Sequence, residues 1–213
     1  MSVIYFLHSE NCKRAFPSTS LTQVILLYSP KYSASFVEGR LDDHKAVYLD
    51  QTMAYLEAPF VDLGTTFTIA CWVKLLPSNL YLKPILFSKN GGSSNGRFWF
   101  GVDDDNKLLF ENSANIIASV RTVVDEPLHE NLWLHVAVTL TTSYELLFYI
   151  NGLKKLSSSL SWQSPTTGPF AIGQFYNTSE TEYVYFHGFL SDLYVFSRAL
   201  SAEEIGQIMG MYY

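Results

Sequence analysis

The residues of this chain whose types could do chemistry are few and widely spaced. Gly92-Ser93-Ser94-Asn95-Gly96 spells the GxSxG pattern of a nucleophile elbow. That device needs a sharp strand-to-helix turn that lifts the serine above an α/β sheet, and the residues that follow, Arg97-Phe98-Trp99-Phe100-Gly101-Val102, read as a strand. A hairpin loop is therefore expected, and not a hydrolase. Retaining glycoside hydrolysis needs two carboxyl groups roughly 5 Å apart, usually alternating along one strand. Glu145 is the only acid in its run and Asp192 is isolated in its own.

Metal and acid–base chemistry fare no better. His8, His44, His129, His135 and His187 are scattered without an HExxH or a pair four residues apart. His135 alternates away from Val136 and Val138, which predicts a half-exposed histidine on a sheet. Cys12 and Cys71 lack the CxxC spacing of a zinc site; two buried thiols or a disulfide both fit them. Asp103-Asp104-Asp105-Asn106 looks locally like a calcium loop but lacks the later Glu and the flanking helices of an EF-hand, so a solvated turn is expected. No catalytic residue emerges, and the chain reads as a non-enzyme. Binding chemistry is better supplied, because aromatic rings near loops and edges can stack on sugars or anchor a protein contact. Trp99, Trp162, Tyr81, Tyr176 and Tyr183 are the candidates. The sequon Asn177-Thr178-Ser179 marks Asn177 for a glycan if the chain meets the secretory pathway.

The elements that must position these residues are strands. Phe67, Ile69, Cys71 and Val73 share one parity, and period-two runs recur at 46–57, 83–88, 97–102, 107–111, 116–124, 132–140, 144–150, 170–174 and 183–197. Short strands at that spacing predict two stacked antiparallel sheets, and 29 Phe and Tyr residues suit the layer between them. Asn151-Gly152 and Asp103 to Asn106 are hairpin-turn signals. Residues 1–35 read as an opening strand or two and a Ser-rich connection. Helix is expected only at the end, where Ser201-Ala202-Glu203-Glu204 forms a capping box with Leu200 and Ile205 placed as a hydrophobic staple.

Composition narrows the partners. The 213 residues are 48% hydrophobic and 16% charged, a balance for a packed fold and not for disorder. A net charge of −6 gives no electrostatic reason to approach nucleic acid or an anionic membrane. No apolar run is long enough for a membrane span. Met1 to Leu7 lacks the features of a secretory leader, so a secreted protein would have had its leader trimmed or be an excised domain.

Taken together, these segments resemble the laminin G-like, concanavalin A-like lectin/glucanase jelly rolls, of which pentraxins are a branch. The resemblance is carried by Leu63 to Lys74, Ile85-Leu86-Phe87-Ser88-Lys89, Trp133-Leu134-His135-Val136-Ala137-Val138-Thr139, Phe148-Tyr149-Ile150-Asn151-Gly152 and Phe186 to Ser201, in the order and at the spacing of that family. It spans about residues 36–209 and implies an all-β jelly-roll sandwich with one short C-terminal helix, here a single domain over 1–213. Where pentraxins have a disulfide between two of these strands, this chain has Ala70 and Ala137. The acids of the pentraxin double-calcium site are also missing: the corresponding stretches read Phe175-Tyr176-Asn177-Thr178 and Ser93-Ser94-Asn95. The ordinary family calcium site uses fewer acids, and the resemblance implies one structural calcium on Asp50 or Asp192, with Asp42 and Asp43 nearby in the chain. It further implies an extracellular, non-catalytic module that binds glycan or a protein surface. A carbohydrate-active enzyme or its accessory domain, and a structural or self-association module of a larger protein, are the alternatives.

Overall fold

Apolar residues on alternate positions drive this chain into strands, because a period of two puts them on one face of a pleated sheet. The computed structural model describes residues 3–6, 29–31, 34–41, 45–78, 82–88, 97–113, 119–177 and 182–210. The strands are β1 (Val3–Phe6), β2 (Ser29–Lys31), β3 (Ser35–Glu38), β4 (Lys45–Asp50), β5 (Tyr55–Ala58) and β6 (Phe67–Leu75). Then follow β7 (Leu82–Ser88), β8 (Arg97–Asp103), β9 (Lys107–Ser113), β10 (Ser119–Pro127), β11 (Trp133–Leu140) and β12 (Glu145–Ile150). The chain continues through β13 (Leu153–Ser159), β14 (Phe170–Ile172), β15 (Gln174–Asn177), β16 (Glu182–Tyr185) and β17 (His187–Phe196) to α1 (Ala202–Gly210).

Two antiparallel sheets result. One runs β13-β12-β11-β6-β17-β4-β3 with β1 paired to the far half of β17, the other β10-β9-β8-β7-β14-β5-β2, and β15-β16 is a separate hairpin. The core lies between the sheets, where Phe67, Ile69, Cys71 and Val73 of β6 meet Phe98 and Phe100 of β8 and Phe110 of β9. Phe67 stacks on Phe98 and Phe110 with ring centroids 6.4 and 5.5 Å apart. Cys71 is a free, fully buried thiol; burial, helped by the negative charge of Asp192, pushes its ionisation far above the usual range. Cys12 lies outside the described residues. Ala70 and Ala137 sit directly opposite each other in the β6–β11 pairing.

Local signals act as expected at the turns and the cap. Asn151 and Gly152 take φ of 49° and 75° and close the β12–β13 hairpin, and Asn106 at φ 61° ends the β8–β9 turn. Ser201 N–H donates to Glu204 Oε2 at 2.9 Å while Glu204 N–H donates to Ser201 Oγ at 3.2 Å, and Leu200 and Ile205 pack in one cluster.

Three expected strand runs are interrupted. Run 46–57 breaks because Gln51 and Met53 adopt φ of 60° and 81°, with Thr52 N–H donating to Asp50 Oδ1 at 3.0 Å. Run 170–174 breaks at Gly173, φ 80°, where a Cβ would meet Leu49 Cδ1 at 2.2 Å; the chain there leaves the second sheet for the hairpin. Run 183–197 divides between β16 and β17 at Phe186. Strand β13, Leu-Lys-Lys-Leu-Ser-Ser-Ser, was not expected, because an edge strand with few apolar residues shows no alternation. The Gly92–Gly96 pattern lies outside the described residues, but the strands flanking it, β7 and β8, pair antiparallel as a hairpin connection requires.

Candidate functional site

Each sheet of a sandwich has an inner face in the core and an outer face that something must cover or leave wet. On the second sheet, the β15–β16 hairpin covers Leu82, Trp99, Leu109 and Ala171 with Val184 and Phe175. On the first sheet, α1 lays Ile205 and Ile208 over Ala70, Ala137, Tyr149, Tyr194 and Phe196. Among the described residues, α1 does not reach the rows of the first sheet's outer face that contain Tyr48 and Phe189.

That face carries an aromatic row. Register places Tyr48 of β4 opposite Phe189 of β17, Phe189 opposite Lys74 of β6, and Lys74 opposite Trp133 of β11. Paired residues of adjacent strands point to the same side, and their chain neighbours Leu49, Val73, Leu134 and Leu190 point inward, so all four side chains face outward. All four are partly exposed. Ring centroids are 5.1 Å apart for Tyr48 and Phe189 and 6.2 Å for Trp133 and Phe189. The Lys74 ammonium lies 5.6 Å from the centre of the Phe189 ring, within reach of a cation–π attraction.

The next row toward α1 is polar but closed. It comprises Ser191, Trp72 and His135, with the Arg40 guanidinium 4.0 Å above the Trp72 ring. His135 is 0% exposed, which corrects the half-exposed histidine expected from alternation. Its side chain does face away from Val136 and Val138, but Trp72, edge-on at 5.5 Å, shields it there. Burial, with the Arg40 charge adding and the Asp192 charge opposing, lowers its pKa to about 3, so the imidazole is neutral. Its ring nitrogens have no hydrogen-bond partner among the described residues. Asp192, 1% exposed, sits at φ 49° where β17 shifts register. The Ser191 hydroxyl lies 2.9 Å from Asp192 Oδ2 and 3.1 Å from the Lys45 carbonyl, which share its proton.

The residues expected to bind do not gather at one place. Trp99 is 3% exposed, its ring 5.1 Å from Phe175 under the hairpin and its Nε1–H donating to Glu111 Oε2 at 3.2 Å; it packs where it was expected to bind. Trp162 plugs one end of the sandwich, 4.7 Å from Phe67, with Nε1–H donating to the Gly64 carbonyl at 2.9 Å. Tyr183, 52% exposed, stands on the hairpin, where its backbone pairs with that of Tyr176. Asn177 ends β15; Thr178 and Ser179 of its sequon, and Tyr81, lie outside the described residues.

Asp50 and Asp192 do not fit one calcium site. Asp50 pairs with His187, and Asp192 follows five residues later on β17, about 16 Å away at ~3.3 Å per residue, whereas one calcium needs its oxygens at about 2.3–2.6 Å. Burial would raise the Asp50 carboxyl, but hydrogen bonds from Thr52 outweigh it and hold the pKa below the ordinary value. No group of three or more His, Cys, Asp or Glu stands ready for a metal among the described residues. Asp42 and Asp43 lie outside them.

Sequence reading missed Tyr48, Phe189 and Trp133. Each stands at an outward parity position of a segment already read as strand. The missing information was which strands adjoin, since β4, β17, β6 and β11 are neighbours in space and remote in the chain.

Residues 50–206 match the Laminin_G_3 family of the concanavalin A-like lectin/glucanases superfamily. No curated protein sequence matches the chain. Among solved structures, domain 4 of AbnA, an extracellular GH43 arabinanase from Geobacillus stearothermophilus solved with arabinotriose, has 16% identity and a TM-score of 0.64, over 84% of this chain and 82% of that one. A botulinum neurotoxin type C structure, from work on cell entry dependent on two ganglioside molecules, has 14% identity and a TM-score of 0.66 over 87% of this chain. The binding domain of botulinum neurotoxin DC, in complex with rat synaptotagmin II, has 14% identity and a TM-score of 0.65 over 86% of this chain. The chain spans about half the length of these two toxin chains, 46% in each case. At such identities the likeness is one of fold.

Proposed function

The chain belongs to the concanavalin A-like lectin/glucanase superfamily, and on that premise we propose that it is a non-catalytic, extracellular recognition module that binds a glycan. The observation that carries this reading is the partly exposed row Tyr48–Phe189–Trp133 on the outer face of the first sheet. Neighbouring rings on rigid strands form a platform about one sugar wide per ring, and a platform on strands is held more precisely than one on loops.

Several acids are engaged elsewhere, which supports a binding role. Glu145 accepts a hydrogen bond from the Ser157 hydroxyl, Glu111 holds Trp99, and Asp192 is buried beside Ser191. The extracellular placement is supported by the similarity to a domain of an extracellular arabinanase and to toxin domains; no described helix is long and apolar enough to cross a membrane.

A glycan array tests the reading, with Trp133→Ala and Phe189→Ala as controls. Each variant should lose about tenfold or more in affinity, the scale of an aromatic anchor. Retention of binding by both variants, or failure of any glycan to bind, would remove the proposal. A protein surface is the second reading, favoured by the similarity to a toxin domain solved with its protein partner; it is separated from the first by whether free oligosaccharide competes. Self-association is separated by light scattering, since a monomer that retains glycan is not acting by assembly.

A further inference from the structure

We infer that the aromatic row takes an acidic sugar, one bearing a carboxylate or sulfate, and that Lys74 reads its charge. The inference rests on the reading of the row as a glycan platform and adds its specificity. Lys74 pairs with Phe189 on one side and Trp133 on the other, which puts a cation in the middle of the stacking surface. Its ammonium forms no ion pair or hydrogen bond among the described residues, and its one close polar partner is the face of Phe189.

Acids outnumber bases 20 to 14; Lys107, Arg121, Lys155 and Arg198 each have a carboxylate within ion-pair distance, whereas Lys74 has none among the described residues. The acid nearest along the face, Asp50, pairs with His187 in the row beyond and turns its carboxylate to the backbone of Thr52. A cation among rings with no carboxylate partner among the described residues favours an occupant that brings a negative charge, and a hydrogen bond to a charged group strengthens the attraction.

Matched probes test the assignment: oligogalacturonate against its methyl ester, sialyllactose against lactose, and a sulfated oligosaccharide against its desulfated form. Affinities are measured on the full chain and on Lys74→Gln, Lys74→Arg and Trp133→Ala. The acidic member of at least one pair should bind about tenfold more tightly than the neutral member, and the difference should shrink as salt is raised. Lys74→Gln should erase the preference while keeping the neutral affinity, and Lys74→Arg should retain it. Equal affinity within every pair, or a preference untouched by Lys74→Gln, overturns the inference and leaves the platform standing. Affinity unchanged by Trp133→Ala takes the binding off the row, and no binding of any probe leaves nothing for Lys74 to read; either overturns this inference, while the platform itself falls only to the full glycan array.

Discussion

Trp133 and Phe189 stand on strands that are not neighbours, with β6 between them, and yet their ring centroids are 6.2 Å apart. Two strand spacings amount to about 9.6 Å, so the rings lean toward each other above Lys74. The charged end of the lysine lies beside Phe189. The surface is thus preformed, and a ligand laid on it loses little to reorganisation.

Binding and stability should separate cleanly between two tryptophans. Trp133→Ala should weaken glycan binding about tenfold or more with little change in Tm, because its ring is partly exposed on the outer face. Trp162→Ala should lower stability by about 2–4 kcal/mol, since it removes packing against Phe67, Phe98 and Phe110 and the bond to Gly64. Chemical denaturation read beside the array checks both.

Acid should destabilise the fold through His135 before it reaches the carboxylates. The folded-state pKa of about 3 lies below the ordinary 6.5, so the unfolded chain binds a proton that the folded chain refuses. This contribution to stability is complete above about pH 6.5 and is lost as pH falls from 6.5 toward 3. Asp50 and Glu204, both held below their ordinary values of 3.8 and 4.5, add losses only lower in the range. Denaturation midpoints between pH 7 and 5 should therefore slope downward in the native chain and be flat in His135→Leu; an equal slope in both would contradict the assignment.

The cap of α1 should matter beyond the helix. Ser201→Ala removes the acceptor for Glu204 N–H and should cost about 1 kcal/mol. Glu204 is also bonded by both terminal nitrogens of Arg198, at 2.8 and 2.5 Å, so Glu204→Gln should be the more damaging change. Because α1 covers Tyr149, Tyr194 and Phe196, fraying should appear as faster amide exchange in α1 and in the half of β17 beneath it.

A structural calcium on Asp50 or on Asp192, its shell completed by backbone carbonyls, should raise thermal stability. An ion that binds the native state must raise Tm as its concentration rises. Melting curves with millimolar calcium should then lie above those with EDTA; superimposable curves would remove the site.

Much of the architecture was legible in residue order. The parity of Phe67, Ile69, Cys71 and Val73 assigned the core face of β6, Asn151-Gly152 marked a hairpin, and Ser201 and Glu204 marked the helix start. The opposition of Ala70 and Ala137 followed from aligning two strand motifs with a known family. Strand β13 escaped notice because polar edge residues carry no periodic signal. The candidate site was not legible: Trp99 reads like a strand-edge ring and is buried, whereas Trp133 sits in a run read as strand without sign of which strands lie beside it.

The sequence by itself determined which way each side chain points, because alternation is a local property of the pleated backbone. Only the tertiary structure decided which outward positions meet water. Trp99 and His135 both face out of their sheets and are buried, one under the β15–β16 hairpin and the other beside Trp72 and Arg40. Trp133, of the same outward parity as His135, stays partly open because α1 stops short of its row. Cover and strand adjacency are both long-range, set by how distant segments pack, and no short window of residues contains them.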